Sequence, residues 1–381
     1  MQIRLKYGCN PHQGRATFSG EGLKVLNGTP GYINLLDALW AWQLVKELRS
    51  ATGTASAASF KHLSPSGAAI SKPLTEEFSR SQFRGTEELS PVARAYVRAR
   101  GGDRMCSFGD AAAVSDPVDF SLAQVLRGEV SDLIIAPAYH PDALAELKRK
   151  KKGNYLILQI DPDYVPPDLE KRELYGFGFE QERNAATITP QSFRESAELS
   201  DSEVENLLVA TIALKYTQSN SVSVAYDGQV IGTGAGQQSR IHCTRLACDK
   251  ADKWLLQLHP KVLQLPFAVG LRKPEKSNVI DQYLLWEQLS VPEKQDMLSR
   301  LESVPEPLTG DEREEWIRSF HGLCLSSDAY IPFRDTIDRA ARSNIRTVAH
   351  PGGSIRDESV AAAAMGQGIK LIETGLRCFL H

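Results

Sequence analysis

Lys61 and His62 stand side by side in Ser59-Phe-Lys-His-Leu-Ser-Pro-Ser-Gly-Ala68, at the end of a run of small and apolar residues. An ammonium can polarise or protonate an oxygen or nitrogen, and an imidazole exchanges a proton near neutral pH, so the pair suits an acyl-type transfer. Pro65 and Gly67 predict a turn directly after it. Taken alone, a Lys-His dipeptide more often marks a solvated loop, so its meaning depends on the rest of the chain.

Three further stretches could serve a ligand. Gly232, Gly234 and Gly236 alternate between a predicted strand and a predicted helix, where exposed backbone N–H groups beside a helix N-terminus would suit an anion or a carboxamide. The spacing is neither the dinucleotide fingerprint nor a P-loop. Arg240 follows at the helix start, where a cation opposes the dipole and needs another reason to be present. Lys215-Tyr-Thr-Gln-Ser-Asn-Ser221 is almost wholly hydrogen-bonding, with Asn220 able to bind an amide and the hydroxyls able to ligate a hard monovalent cation. Arg377, near the C-terminus, offers a planar fork for phosphate. The N-terminal Leu5-to-Gln13 stretch, with His12, reads as a polar loop.

The elements that must position these groups follow from periodicity. A helix is predicted from about Leu35 to Arg49, with Asn34 as N-cap, Asp37 in its first turn and an apolar face broad enough to need a sheet or a second subunit over it. Apolar runs at Leu133–Ala136 and Tyr155–Ile160 bracket a helix begun by Pro141, a βαβ unit of a parallel sheet. The basic run Lys148–Lys152 reads as a solvated helix end. Residues 161–200 form a Pro- and charge-rich connector and the expected lobe boundary. Beyond it come a helix capped by Ser202, a hairpin turning at Asp227-Gly228, a helix over residues 241–256, a polar region from 260 to 322, and a closing α/β stretch. No close sequence repeat is present, yet both halves share the βαβ beat.

At 381 residues the chain exceeds the usual size of one core. Hydrophobic residues make up 42% and charged residues 24%, and the net charge of −3 gives no general pull toward nucleic acid or an anionic membrane. No apolar run is long enough to span a bilayer and the N-terminus lacks a signal-peptide core, so a cytoplasmic protein is expected. The six scattered cysteines read as reduced thiols, and no Cys/His set has zinc spacing.

Taken in order, these stretches resemble the aminoimidazole carboxamide ribonucleotide (AICAR) transformylase family of purine synthesis. Leu5-Lys-Tyr-Gly-Cys-Asn-Pro-His-Gln13 is similar to its opening motif and Phe60-Lys-His-Leu-Ser-Pro-Ser-Gly67 to its Lys-His motif. Ala95 to Asp110, Glu129 to Pro137, Lys215 to Asn220, Gln229 to Lys250 and Ser327 to Asp335 continue the likeness nearly end to end. The resemblance implies formyl transfer from 10-formyltetrahydrofolate to the 5-amino group of AICAR. It implies His62 as proton acceptor, Lys61 at the developing oxyanion or the departing folate nitrogen, and Asn220 and His12 orienting them. It places Lys6, Tyr7, Gly109, Asp132, Arg240 and Arg377 around the nucleotide, Ile241 and Tyr330 toward the folate, and a potassium-like ion near Leu214, Thr217, Ser219, Ser221 and Asp328. It implies an α/β fold of two cytidine-deaminase-like α/β/α lobes, residues 1–165 with 260–320 and residues 166–259 with 321–381, in an intertwined homodimer with shared active sites. The deaminases' zinc motif is missing, so zinc deamination is disfavoured.

The departures from the family pattern matter too. The family's cyclohydrolase domain is expected to be absent, making this a stand-alone form. Lys6 replaces an arginine of the opening motif, a point charge for a fork. Ser64 and Ser66 replace the Asn and Cys of many bacterial members, and Leu380 stands where a histidine is common. Two other readings stay open: a paralogue formylating a related amine, and a catalytically silent nucleotide-binding protein.

Overall fold

The computed structural model describes residues 2–194 and 197–381. Fifteen strands follow in chain order: β1 (Gln2–Leu5), β2 (Ala16–Ser19), β3 (Leu23–Asn27), β4 (Ser56–Lys61), β5 (Ser64–Ile70), β6 (Asp110–Val114), β7 (Ser131–Ala136), β8 (Leu156–Ile160), β9 (Leu169–Leu174), β10 (Phe177–Glu182), β11 (Val222–Tyr226), β12 (Gln229–Gly234), β13 (Cys324–Ser327), β14 (Thr347–His350) and β15 (Lys370–Glu373). Eleven of them form one mixed sheet in the order β15-β14-β13-β11-β12-β5-β4-β6-β7-β8-β3. The molecule is thus α/β, as the alternating apolar runs predict.

The sheet contains one plan twice. Outward from the centre, β5-β4-β6-β7-β8 and β12-β11-β13-β14-β15 both run antiparallel, antiparallel, parallel, parallel. The helices repeat with them. Tyr32–Thr52 precedes β4 as Asp201–Lys215 precedes β11, and Pro91–Gly101 follows β5 as Arg240–Leu256 follows β12. The two halves meet where β5 and β12 pair antiparallel at Ala69 and Gln229, with Ile70 N–H donating to the Gly228 carbonyl at 3.0 Å.

Helices Tyr32–Thr52 and Asp201–Lys215 cover one face, in a core that includes Leu35, Leu44, Val45, Leu48, Leu207 and Ile212. Most of the other helices cover the opposite face in a second core around Tyr96, Leu122, Trp254 and Tyr283, while the short Gln191–Arg194 joins the first through Phe193. The broad apolar face of the first helix is therefore met within the chain, by sheet and by the second-half helix. Trp42 is buried there, and Trp40 packs a tilted ring 6.3 Å from that of Tyr216.

Several local expectations shift. Gly31 caps the first helix and Asn34 sits three residues inside, its Oδ1 accepting the Gly31 N–H. Ser200 rather than Ser202 caps Asp201–Lys215, in a reciprocal arrangement with Glu203. The 161–200 connector carries an exposed two-stranded ribbon, β9 with β10. Residues 260–318 form four short helices inserted into the second repeat. They touch both halves, through Lys273–Glu129 and Lys253–Asp281 ion pairs.

Candidate functional site

The Lys-His turn is tighter than the sequence predicts, and it falls elsewhere. β4 and β5 pair as far as Lys61 with Ser64, leaving His62 and Leu63 as a two-residue hairpin loop. Both carry positive φ, 54° and 62°. This is the twist a two-residue hairpin demands, and for side chains larger than glycine it costs ~1–2 kcal/mol each. Pro65 and Gly67 lie inside β5 instead of in the turn. Gly67 is required because a Cβ there would sit 2.1 Å from the Ala99 carbonyl oxygen of the covering helix.

What holds the turn is Asp37. Its Oδ1 accepts the Leu63 N–H at 2.7 Å from the first helix. Burial pushes this carboxyl up, opposed by that hydrogen bond and by the charge of His62. Lys61 donates through Nζ to the Phe108 carbonyl, and His62 is exposed. Gly109, with φ 74°, follows Phe108 and faces the carboxylate of Asp132. Lys151 pairs with Asp132, so the basic run does more than crown a helix end.

A second cluster gathers at the start of β11 and the ends of β12 and β13. Asn220 donates to the Gln237 carbonyl at 3.0 Å and accepts from Arg240 Nη2 at 3.1 Å. Arg240 also donates to the Ser221 carbonyl at 2.7 Å and pairs with Asp328, and both are buried. That pairing is the reason for a cation at the helix start. Asp328 Oδ2 accepts from Ser219 Oγ at 2.6 Å and from the Ser221 N–H and Oγ at 2.9 and 3.0 Å. The C-terminal tail closes over this loop, with the Ser219 N–H donating to the Leu380 carbonyl and the Leu380 N–H to Ser219 Oγ, each at 3.0 Å.

The glycine-rich stretch is a packing device more than an anion cradle. β12 runs through Gly234, and Cβ atoms at Gly232 and Gly234 would lie 2.1 Å from the Ala247 and Cys243 carbonyl oxygens of the next helix. Gly236 has φ 66° and its N–H is used by the Gln218 carbonyl. The signal that distinguishes this from a ligand loop is the strand continuing through the glycines, which alternation alone does not reveal.

Of the hard oxygens named for a cation, Ser219, Ser221 and Asp328 come together. Thr217 Oγ1 donates to the Ala213 carbonyl and the Leu214 carbonyl accepts the Thr217 N–H, at the end of the same helix. With Asp328 already matched by Arg240, a low-charge oxygen set remains, which fits a monovalent ion better than a divalent one. Among the described residues no group of three or more His, Cys, Asp or Glu could hold a metal, and all six cysteines are free. Burial pushes the Cys106 thiol up to about 11 and those of Cys248 and Cys378 to about 12, so these three are protonated at neutral pH.

Antiparallel pairing brings the start of β5 and the end of β12 to the same edge of the sheet, so both clusters open on one side. Among the described residues no hydrogen bond or ion pair joins them. Lys6, Tyr7 and His12 are exposed on the N-terminal segment, Lys6 Nζ lying 6.0 Å from the Tyr7 ring centre. Arg377 and Tyr330 are exposed and Ile241 is half-buried. Sequence reasoning missed Asp37 as the brace, the Phe108 carbonyl and Lys151. An acid set within an otherwise apolar helix face was the available sign for Asp37.

The class that fold and site define is an α/β protein with one strand plan used twice and a Lys-His hairpin at the strand ends its halves share. A model of the AICARFT/IMPCHase bienzyme family matches residues 1–250, and the chain belongs to that family. It is 29% identical over 389 residues to the bifunctional purine biosynthesis protein PurH of Roseobacter denitrificans, with 99% of this chain and 59% of that protein covered. The PurH proteins of Chloroflexus aurantiacus, 29% identical over 382 residues, and Cereibacter sphaeroides, 28% over 392, are covered to the same shares. The chain therefore spans about 59% of the length of these relatives. No helix among the described residues is long and apolar enough to cross a membrane.

Proposed function

We propose that this chain transfers the formyl group of 10-formyltetrahydrofolate to the 5-amino group of AICAR, giving the formamido nucleotide and tetrahydrofolate. The observation that carries the reading is the Lys61-His62 turn. Asp37 and the Phe108 carbonyl fix it at the sheet edge to which β11, β12 and β13 bring Asn220, Arg240 and Asp328.

The amine of AICAR is conjugated with its carboxamide and is a poor nucleophile, so it needs a base as it attacks. His62 takes its proton while nitrogen bonds to the formyl carbon. Lys61 steadies the oxyanion that forms and supplies a proton to folate N10 as the carbon–N10 bond breaks. Asn220 and His12 orient these groups. Lys6, Tyr7, Gly109, Asp132, Arg240 and Arg377 surround the nucleotide, with Lys151 moving off Asp132 as it enters, and Ile241 and Tyr330 face the folate. Leu214, Thr217, Ser219, Ser221 and Asp328 would hold a potassium ion, whose charge would steady the loop that carries Asn220.

The doubled strand plan supports two cytidine-deaminase-like lobes, residues 1–165 with 260–320 and residues 166–259 with 321–381. In this reading the protein is a homodimer in which each site draws on both copies.

The test mixes the protein with AICAR and 10-formyltetrahydrofolate and follows tetrahydrofolate release. Binding of AICAR without release would leave a silent nucleotide-binding protein, and release with other amines alone would leave a paralogue. His62→Ala is expected to lower turnover by about 10²–10⁴-fold while AICAR affinity stays within about tenfold. A large affinity loss with near-normal turnover would move His62 to binding.

A further inference from the structure

Arg100 is buried, 4% exposed, in the last turn of the helix Pro91–Gly101. A cation favours a helix C-terminus, but a solvated one serves that purpose, and a buried guanidinium needs another reason for its place. Its hydrogen bonds supply one. Nη1 donates to the Ser107 carbonyl at 2.6 Å and Nη2 to the Val130 carbonyl at 3.1 Å, and that second carbonyl also accepts the Gly109 N–H at 2.9 Å. One planar fork thus ties down the residue on each side of Phe108. The Phe108 carbonyl between them is the acceptor of Lys61 Nζ. We infer that Arg100 is a positioning residue for Lys61, setting the direction of the Phe108 carbonyl and through it where the ammonium stands; the purpose of that placement rests on the formyl-transfer reading above.

The Phe108 side chain is 45% exposed, so packing does little to anchor its peptide and the polar ties must do so. The carboxylates that balance Arg100 carry the tie on to the strand bearing Lys61. Asp110 pairs with Arg100 at 2.9 Å and Glu129 at 3.2 Å, both carboxylates buried. Ser59 Oγ donates to Asp110 Oδ2 at 2.7 Å and lies 2.9 Å from Ser107 Oγ. Ser59 stands two residues before Lys61 on β4. Donor and acceptor of the Lys61 hydrogen bond are therefore held by the same guanidinium–carboxylate pair. A buried ion pair is often replaceable by apolar side chains of similar volume at no loss of stability, so stability alone does not account for this one. What it supplies here is a fixed distance between β4 and the turn that carries Phe108.

The experiment is a double-mutant cycle on kcat between Arg100→Lys and Lys61→Ala in the full chain, with thermal melts as a check of folding. Lysine keeps the charge but lacks the fork, so it cannot hold both carbonyls. Arg100→Lys alone is expected to lower kcat about tenfold to a hundredfold, with KM for AICAR changed less than about threefold. In the Lys61→Ala background the same change should cost less than about twofold more, because its effect passes through the missing ammonium. Additive losses, or a change in KM alone, overturn the assignment. A second readout needs no turnover: acetylation of Lys61 by acetic anhydride, followed by peptide mass, should run about threefold or more faster in Arg100→Lys, with the exposed Lys24 as an unchanged reference. Equal labelling of Lys61 in both chains also overturns it. If Arg100→Lys does not fold, Ser59→Ala carries the same comparisons, with a loss of about two- to tenfold in kcat that vanishes without Lys61. Faster Lys61 labelling in a chain that transfers no formyl group keeps the positioning and overturns the reaction, whereas formyl transfer with additive losses overturns the positioning alone.

Discussion

Asp37 Oδ1 accepts the Leu63 N–H at 2.7 Å, so a carboxylate on the first helix fixes the backbone of the hairpin that presents His62. Asp37 is a positioning residue, and its removal acts through that turn. Asp37→Ala is expected to lower kcat about tenfold or more, since one lost charge-assisted bond is worth ~1.5–3 kcal/mol, with KM for AICAR changed less. Asp37→Asn keeps a carbonyl acceptor and should recover much of the rate. Equal loss in both variants would assign Asp37 to charge rather than to shape.

Gly232 and Gly234 should tolerate no side chain. Alanine at either must push the helix Arg240–Leu256 off the sheet, at a cost of at least ~1–3 kcal/mol of the overpacking kind. Gly236→Ala meets nothing within 4 Å and carries only the left-handed backbone cost of ~1–2 kcal/mol. Thermal melts of the three variants check the order. If Gly236→Ala is the least stable, the packing account fails.

Arg240 and Asp328 form a buried ion pair. Arg240→Met and Asp328→Leu are each expected to cost ~3–5 kcal/mol, while the double variant should recover part of it. A double-mutant cycle by denaturant unfolding measures the coupling. Additive losses would show that the pair does not interact.

Glu203 ties the start of its helix to β14 and β15 through Ser200, Thr347 and Lys370. Burial raises its carboxyl, but these bonds outweigh burial and bring it from 4.5 down to about 2. A depressed acid stabilises the fold above its unfolded value, so this contribution is complete above about pH 4.5 and disappears as pH falls toward 2. Glu203→Gln should flatten the pH dependence of stability across that window, as read from urea midpoints at several pH values. An unchanged slope would remove Glu203 from the acid response.

The α/β class and the first helix were legible because periodicity reports burial directly. The repeat showed only as a shared βαβ beat, because the two halves share strand order rather than residues, and hydrogen-bond direction leaves no mark in composition. The turn expected at Pro65 and Gly67 falls earlier, at His62 and Leu63, for a related reason. Proline and glycine announce turns, but Gly67 answers to a helix packed above it, and His62 and Leu63 take the left-handed backbone that Asp37 supports. Asn220 and Arg240 were each visible as polar residues in unusual places, and Asp328 entered only through the family resemblance. The mutual pairing of these residues was not legible, since it joins a loop, a helix start and a strand end that lie apart in the sequence.

The junction of β5 with β12 has a consequence for how the chain is made. Strands β4 to β8 all lie within residues 56–160 and can assemble as soon as they leave the ribosome, but β5 then waits for a partner that begins at Gln229. Throughout that interval an apolar strand presents an open edge, the kind that invites pairing with a neighbouring chain. A fragment ending near residue 165 would keep that edge permanently, and self-association rather than unfolding is its characteristic failure.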